Sequence, residues 1–590
     1  MYHWLRNKKA VIYAPLIFIM LFAVACGSSA EPVIVEKEVI KEVVKEVPVI
    51  KEVIKEVPKE VIVEKIVVRE VVKEVVVVAR PTAAPAPTDT EGKMGGTLNI
   101  GSTYTVDNLD PHKGGGWNYC EICYGSVTES LVRLFEEEGA EYGSLIPHPY
   151  LLESWTLVDP STYDLKLHEG VKFHNVPPVN GRELVADDVV WSFEHMRQPD
   201  PLYVYRTLHG PLESLEATDK YTVRMNLNAP AFAIMRFMGL SDGSQIIPRE
   251  VEEDPNFDAD STVIGTGPFI MKEWIPGTSI HTERNPDYWR EGRPYLDEVN
   301  NLIIPDAAAR MAAFRSDRIQ LLDMEWGQAQ TIYDDPRWIT NRYPGSRQRG
   351  IGFQHRRPPF NDIRMRQAVQ AALKLQDFVD ILDDGEGKIN TGYWWSMENI
   401  ALDQSYVPKQ DLEKARRLIK EAGYDPEVGI DVVTVCRSGD PYQCRIQEIV
   451  QDQLAEVGIK TSIVAMESGS WRTRTFTQYD FDIYSYSAPA HEIPERFHNL
   501  YVYGPSSSNS IGSANAELDA AMELAGASAN QEEYEERWKA YQKIFMEQVP
   551  YVFLDTPFQY TAQQPYLRGY RNSVAGYNRF QWIADFWFDK

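Results

Sequence analysis

The order of elements between residues 411 and 466 constrains the fold more than any other stretch. DLEKARRLIKEAGY begins on Asp411, a residue type that caps helices, and stops at Gly423; GIDVVTV follows as a strand-like run. A second helix covers about Tyr442 to Val457, and GIKTSIVAM is another strand. Strand, helix, strand in this order predicts a parallel α/β unit, because parallel strands need a long crossover connection. Elsewhere GGTLNIGS and LVRLF fit short strands, and TYDLKLHEGVKFHN alternates apolar and polar residues as a half-exposed hairpin would. ADDVVWSFEHM opens on two acids and puts Val189, Val190, Phe193 and Met196 on one helical face. With 590 residues, several packed units are expected.

The N-terminus is organised differently. Arg6, Lys8 and Lys9 precede an apolar run from Ala10 to Val24, then AVACGSSA, the layout of an export signal. Cys26 after small residues resembles the lipobox of bacterial lipoproteins, which implies a signal peptide over 1–25 and acylation of Cys26; an ordinary signal peptide cut nearby is the alternative. The segment 26–94 is a Lys-Glu-Val repeat, as in VIKEVVKEVPVIKEVIKEVP, and then a Pro/Ala/Thr stretch. Its Glu and Lys spacing supports a helix, whereas its Val and Ile favour extended chain, and both readings stay open. A four-residue repeat drifts about 40° per unit around a helix, so it builds no sustained coiled-coil seam. About forty such residues reach ~60 Å as helix or ~130 Å extended, and either spaces a globular body from a membrane.

Charge and motifs exclude several functions. Sixty basic against 86 acidic residues give −26, which repels nucleic acid. HEIPERFH at 491–498 has its histidines seven apart with Pro494 between them, unlike a zinc-protease helix. Gly265 and Gly267 in VIGTGPF lack the third glycine of a nucleotide loop and read as a tight turn beside Pro268. No nucleophile or metal set stands out, so no enzyme, no cofactor and no metal are expected. In an exported chain Cys436 and Cys444 suit a local disulfide, while Cys120 and Cys123 in CEIC suit a tight disulfide or free thiols ahead of a metal site.

A series of phrases stands above this background in a fixed order: GGTLNIG with LDPH, PYLLESWTLVDPSTYDLKLHEGVKFHN, GRELVADDVVWSFEHM, IGTGPFIMKEWIPGTSIHTERNPDYW, RMRQAVQAAL and DLEKARRLIKEAGY. From about Gly95 to the C-terminus the chain resembles the extracytoplasmic solute-binding proteins of ABC importers, family 5, which include oligopeptide, dipeptide and nickel binders. The resemblance implies an α/β fold, a two-lobed periplasmic-binding-protein-like clamp of type II with an additional subdomain. Lobe I would comprise 95–127, 262–346 and 558–590, the additional subdomain 128–261, and lobe II 347–557.

Peptide binders of this family carry FD, a short apolar stretch, a Trp and then an Asp that pairs with the peptide's amino terminus. Here FD is Phe481-Asp482, the Trp place falls on Ala488 and the Asp place on His491, with Glu492 beside it. Free-amine peptides are therefore less expected than a modified peptide or an oligosaccharide. Trp471 takes the place of a pocket Trp, with core packing as its alternative. Trp117 and Tyr119, Trp394 and Trp395, and Tyr486 offer flat faces for stacking, and Arg496, with Arg472 and Arg474, could hold an anion.

The expected function is a monomeric, lipid-anchored solute-binding protein outside the cytoplasmic membrane, periplasmic or on the cell surface. It would capture a peptide-like or oligosaccharide solute and deliver it to an ABC transporter permease. A lipid-anchored secreted hydrolase and a clamp-type receptor or scaffold are the alternatives.

Overall fold

The computed structural model describes residues 92–103, 106, 108–113, 120, 122–135, 146–200, 203, 209–240, 243–345, 347–390, 392, 400–440, 442–489, 494–506, 508–571 and 579–590. The export segment, Cys26 and the Lys-Glu-Val repeat lie outside the described residues.

The parallel unit expected from the sequence is present. Ile430–Arg437 runs parallel to Ile459–Met466, in register from Ile430 opposite Ile459 to Arg437 opposite Met466. Helix Gln443–Ala455 makes the crossover. Before it, helix Leu412–Glu421 is capped by Asp411, whose carboxylate accepts the Lys414 N–H at 2.8 Å, and Gly423 turns the chain away with φ +92°. Cys436 and Cys444 are disulfide-bonded, tying the end of the first strand to the start of the crossover helix. Cys120 and Cys123 are also bonded to one another.

This unit is one end of a 12-stranded sheet. At the other end Phe269–Ile275, Ser279–Arg284, Glu298–Ile303 and Thr97–Ser102 follow one another, then Leu321–Met324. The two ends meet on the 13-residue strand Tyr551–Gln563. Its later residues pair with Leu321–Met324 and Ile339–Pro344, and its earlier residues with Arg347–Phe353 and Gly387–Ile389. Among the described residues, two stretches thus connect one half of the sheet to the other: strands 339–344 and 347–353 in succession, and 551–563 beside them. Few crossings between two large halves make a natural hinge.

A separate antiparallel sheet orders Leu152–Asp159, Thr162–Leu167, Thr222–Leu227 and Leu212–Asp219. Helix Ala186–Met196 packs on it through buried Val189, Phe193 and Met196, with Val190 half-buried. The hairpin expected within TYDLKLHEGVKFHN does not form. Its first half is the strand Thr162–Leu167, but the partners are Leu152–Asp159 and Thr222–Leu227. Gly170, at φ +78°, diverts the chain, and Pro177 and Pro178 just beyond have no N–H to offer a ladder.

Gly265 and Gly267 are structural for a reason other than a turn. Neither has positive φ. They lie against the backbone of 126–128, with Gly267 N–H donating to the Val127 carbonyl at 3.0 Å. A Cβ on Gly265 would overlap the Val127 carbonyl oxygen and stand 2.8 Å from Thr128 Cα. Gly265→Ala is therefore expected to lower the unfolding free energy by about 1–3 kcal/mol in urea titrations; a loss below about 0.5 kcal/mol, the scale of neutral surface changes, would mean the two backbones separate without strain.

Candidate functional site

Side chains alternate between the two faces of a strand, so each crossing strand presents two chemistries. Where Arg347–Phe353 meets Tyr551–Gln563, Arg349 stands opposite Asp555, and Ile389 stands opposite Asp555 from the other edge. On the face of Arg349, its Nε donates to Asp555 at 3.0 Å, and its guanidinium also pairs with Asp383. The Tyr442 ring lies 4.8 Å from the guanidinium carbon. All three charged side chains are almost wholly buried. Burial pushes the Asp383 and Asp555 carboxyls up, and the Arg349 charge opposes that rise.

The opposite face is aromatic and polar. Gly350 and Gly352 alternate there with Gln348. A Cβ on Gly352 would collide with Tyr484 and stand 2.8 Å from Tyr551 Cε1, so glycine lets these rings lie on the strand. Tyr486 is buried beside Tyr501 and Tyr551 with ring centres 5.5 and 5.6 Å away. Trp471 packs against Phe476 and Tyr484 at 5.8 and 6.0 Å, and its indole N–H has no partner among the described residues.

At the edge of this aromatic layer is a polar row. Gln348 precedes Arg349 and Thr556 follows Asp555, on one side of the register line through Asp555, while Asn390 follows Ile389 on the other side. Thr556 donates its hydroxyl to Asn390 Oδ1 at 2.9 Å. Asn390 Nδ2, and both Oε1 and Nε2 of Gln348, are buried without a hydrogen-bond partner among the described residues. A buried amide group left unpaired costs about 1–3 kcal/mol, so such groups demand an explanation. Asn390 leads directly into 391–399, and the strand carrying Ala488, opposite Gln348 in register, leads into 490–493.

Several other buried polar groups are paired, although Gln447 on the crossover helix is buried with both amide atoms unpaired among the described residues. Phe481 lies in the aromatic layer, while Asp482 accepts the Val433 N–H at 2.7 Å and holds Arg357, so the FD pair locks strands together. His498 is committed to the Tyr541 hydroxyl at 2.8 Å and to Asp519 at 2.9 Å. Glu129 accepts from Tyr288, Trp289 and Thr266 at 2.8, 3.1 and 2.8 Å, and from Tyr150. His112 and His195 face each other through Nδ1 atoms 2.9 Å apart, and burial pushes His112 down to about 4, which keeps it neutral. Among the described residues no group of three or more His, Cys, Asp or Glu could hold a metal ion.

Of the residues singled out from sequence, Trp471 and Tyr486 share the aromatic layer, and Arg496 is buried on helix Pro494–Phe497. Arg474 is occupied by Asp480. Trp117, Tyr119, Trp394, Trp395, His491 and Glu492 lie outside the described residues. Gln348, Asn390 and Thr556 escape sequence reading because lone amides and hydroxyls in strands have no spacing signature; only register brings them together.

The family model described as bacterial extracellular solute-binding proteins, family 5 Middle, matches residues 147–508. The chain belongs to that family. Family 5 members are extracytoplasmic binding proteins and not enzymes. Among curated relatives, di/tripeptide-binding protein 2 of Pseudomonas aeruginosa is 27% identical over 462 residues, 73% of this chain and 85% of its own. Heme-binding protein A of Haemophilus influenzae is 27% identical over 475 residues, 75% and 85% of the two chains. Two solved structures share the fold. The periplasmic binding protein DppA of Helicobacter pylori, in complex with the peptide STSA, has a TM-score of 0.72 at 23% identity, covering 84% of this chain and 99% of that one. The oligopeptide-binding protein AppA of Bacillus subtilis, in complex with a nonapeptide, has a TM-score of 0.72 at 24% identity, covering 85% and 100%. This family 5 protein is accordingly a two-lobed α/β clamp of type II.

Proposed function

We propose that this solute-binding protein captures a peptide-like solute between its lobes and delivers it to the permease of an ABC importer. The observation that carries the reading is the crossing of the two hinge segments, where buried amides stand unpaired beside an aromatic layer. Relatives named for di- and tripeptides and for oligopeptides support the solute class. In this reading 95–127, 262–346 and 558–590 form lobe I, 128–261 the additional subdomain and 347–557 lobe II. Closure is favoured only by the difference in solute affinity between open and closed forms. His491 in the place of a family aspartate argues for a solute that brings no ammonium there, such as an N-modified peptide; an oligosaccharide is the other solute with this property.

Native mass spectrometry and a thermal-shift screen of N-acetylated peptides, free-amine peptides and oligosaccharides test this. The expected result is a rise in melting temperature with N-acetylated peptides. Stabilisation by oligosaccharides alone would overturn the peptide-like class, and preference for free-amine peptides over acetylated ones would overturn the role given to His491. We place the protein on the outer face of the cytoplasmic membrane through an acylated Cys26. Cys26→Ser is expected to move it from the membrane fraction to the soluble fraction, and unchanged membrane association would count against the anchor.

A further inference from the structure

We infer that Gln348 and Asn390 are specificity-determining residues that read neutral backbone amides of the solute, the solute class resting on the peptide-like reading above. Gln348 is fully buried and Asn390 nearly so, yet the first has neither of its amide atoms paired and the second has its N–H donors unused. Asn390 is oriented, because its Oδ1 is held by the Thr556 hydroxyl at 2.9 Å, which leaves Nδ2 as the free end. The row lies on the face away from the Arg349, Asp383 and Asp555 charges, so no described charged side chain of that cluster competes for it.

What is missing from the row defines its complement. Gln348 needs both a donor and an acceptor, and Asn390 needs an acceptor. A carboxylate only accepts and would leave Gln348 Oε1 bare; an ammonium only donates and would leave the amide N–H groups bare. A peptide backbone supplies N–H donors and two-lone-pair C=O acceptors on successive groups, and so meets what both side chains lack. Sites built to hydrogen-bond a group reject analogues that lack it strongly, because the buried partners are then left unpaired.

The test uses the full chain and acetyl-tripeptide amides in which one backbone N–H at a time is replaced by an ester oxygen, measured by isothermal titration. One ester position is expected to lose about tenfold in affinity for the native protein and less than twofold for Gln348→Leu. In solute-free protein, Gln348→Leu is expected to keep or raise the melting temperature, since it removes an unpaired buried amide, whereas a side chain needed for the fold would lower it. Asn390→Asp places an acceptor where the row needs a donor and is expected to weaken the parent peptide at least tenfold. Equal ester sensitivity in native protein and Gln348→Leu, or a lowered melting temperature of the solute-free variant, would overturn the assignment. If the native protein binds none of the parent peptides, the peptide-like reading itself fails, an outcome distinct from peptide binding that ignores Gln348.

Discussion

Arg349→Ala is expected to cost the fold about 3–5 kcal/mol, the range for breaking a buried ion pair by removing one partner. Arg349 pairs with both Asp383 and Asp555 at the buried crossing, and its removal leaves two carboxylates facing each other away from water. Both are already pushed up by burial while Arg349 is present. Without it they must either take up protons or bear the desolvation of two charges. The deficit should therefore deepen between mildly acidic and neutral pH, where protonation ceases to relieve it. Arg349→Lys should recover only part of the loss, because a single ammonium cannot reproduce a planar fork bonded to two acids. Urea unfolding of the three proteins at two pH values checks this, and a loss below about 1 kcal/mol, the worth of an exposed pair, would mean that water reaches the crossing.

The same crossing marks where sequence reading succeeds and stops. The parallel unit was legible because each signal was local: Asp411 caps, Gly423 stops, and β-branched runs flank a helix. Long-range pairing was not. Thr162–Leu167 looks like half of a hairpin with its own downstream neighbours, but its strand partner Thr222–Leu227 is some sixty residues away, and nothing in the alternation distinguishes near from far partners. For Gly265 the residue type was informative and the reason was not, since close backbone approach and left-handed turns both select glycine. The polar row is the extreme case. Gln348 and Thr556 lie in two strands and Asn390 just past the end of a third, and only the register against Asp555 makes them one feature.

Glu495→Gln is expected to remove a loss of stability that the native protein suffers as pH rises to neutrality. Glu495 is buried on helix Pro494–Phe497, where it accepts the Tyr534 hydroxyl at 3.2 Å. Tyr534 also meets Phe232, ring centres 5.8 Å apart, and the Arg236 guanidinium, while Phe232 N–H donates to the Ser528 carbonyl at 2.8 Å. Burial pushes the Glu495 carboxyl from 4.5 up to about 7, against the Tyr534 hydrogen bond and the Arg236 charge. The folded chain consequently holds one more proton than the unfolded chain between those values. Its contribution to stability is full below about 4.5 and is lost as pH rises through about 7. At 1.36 kcal/mol per pH decade, the loss across that window is roughly 3 kcal/mol. Buried histidines act in the opposite sense. His112, His174 and His209 are pushed down by burial to about 4, so folding excludes protons that the unfolded chain binds, and their stability is present at neutral pH and lost toward acid. The native curve is a composite of both effects, and only the difference between Glu495→Gln and native protein isolates the carboxyl. Chemical unfolding from pH 4.5 to 8 should show that difference growing in favour of the variant as pH rises. Parallel curves would place Glu495 in contact with water and leave the junction of Phe232, Arg236 and Tyr534 insensitive to pH.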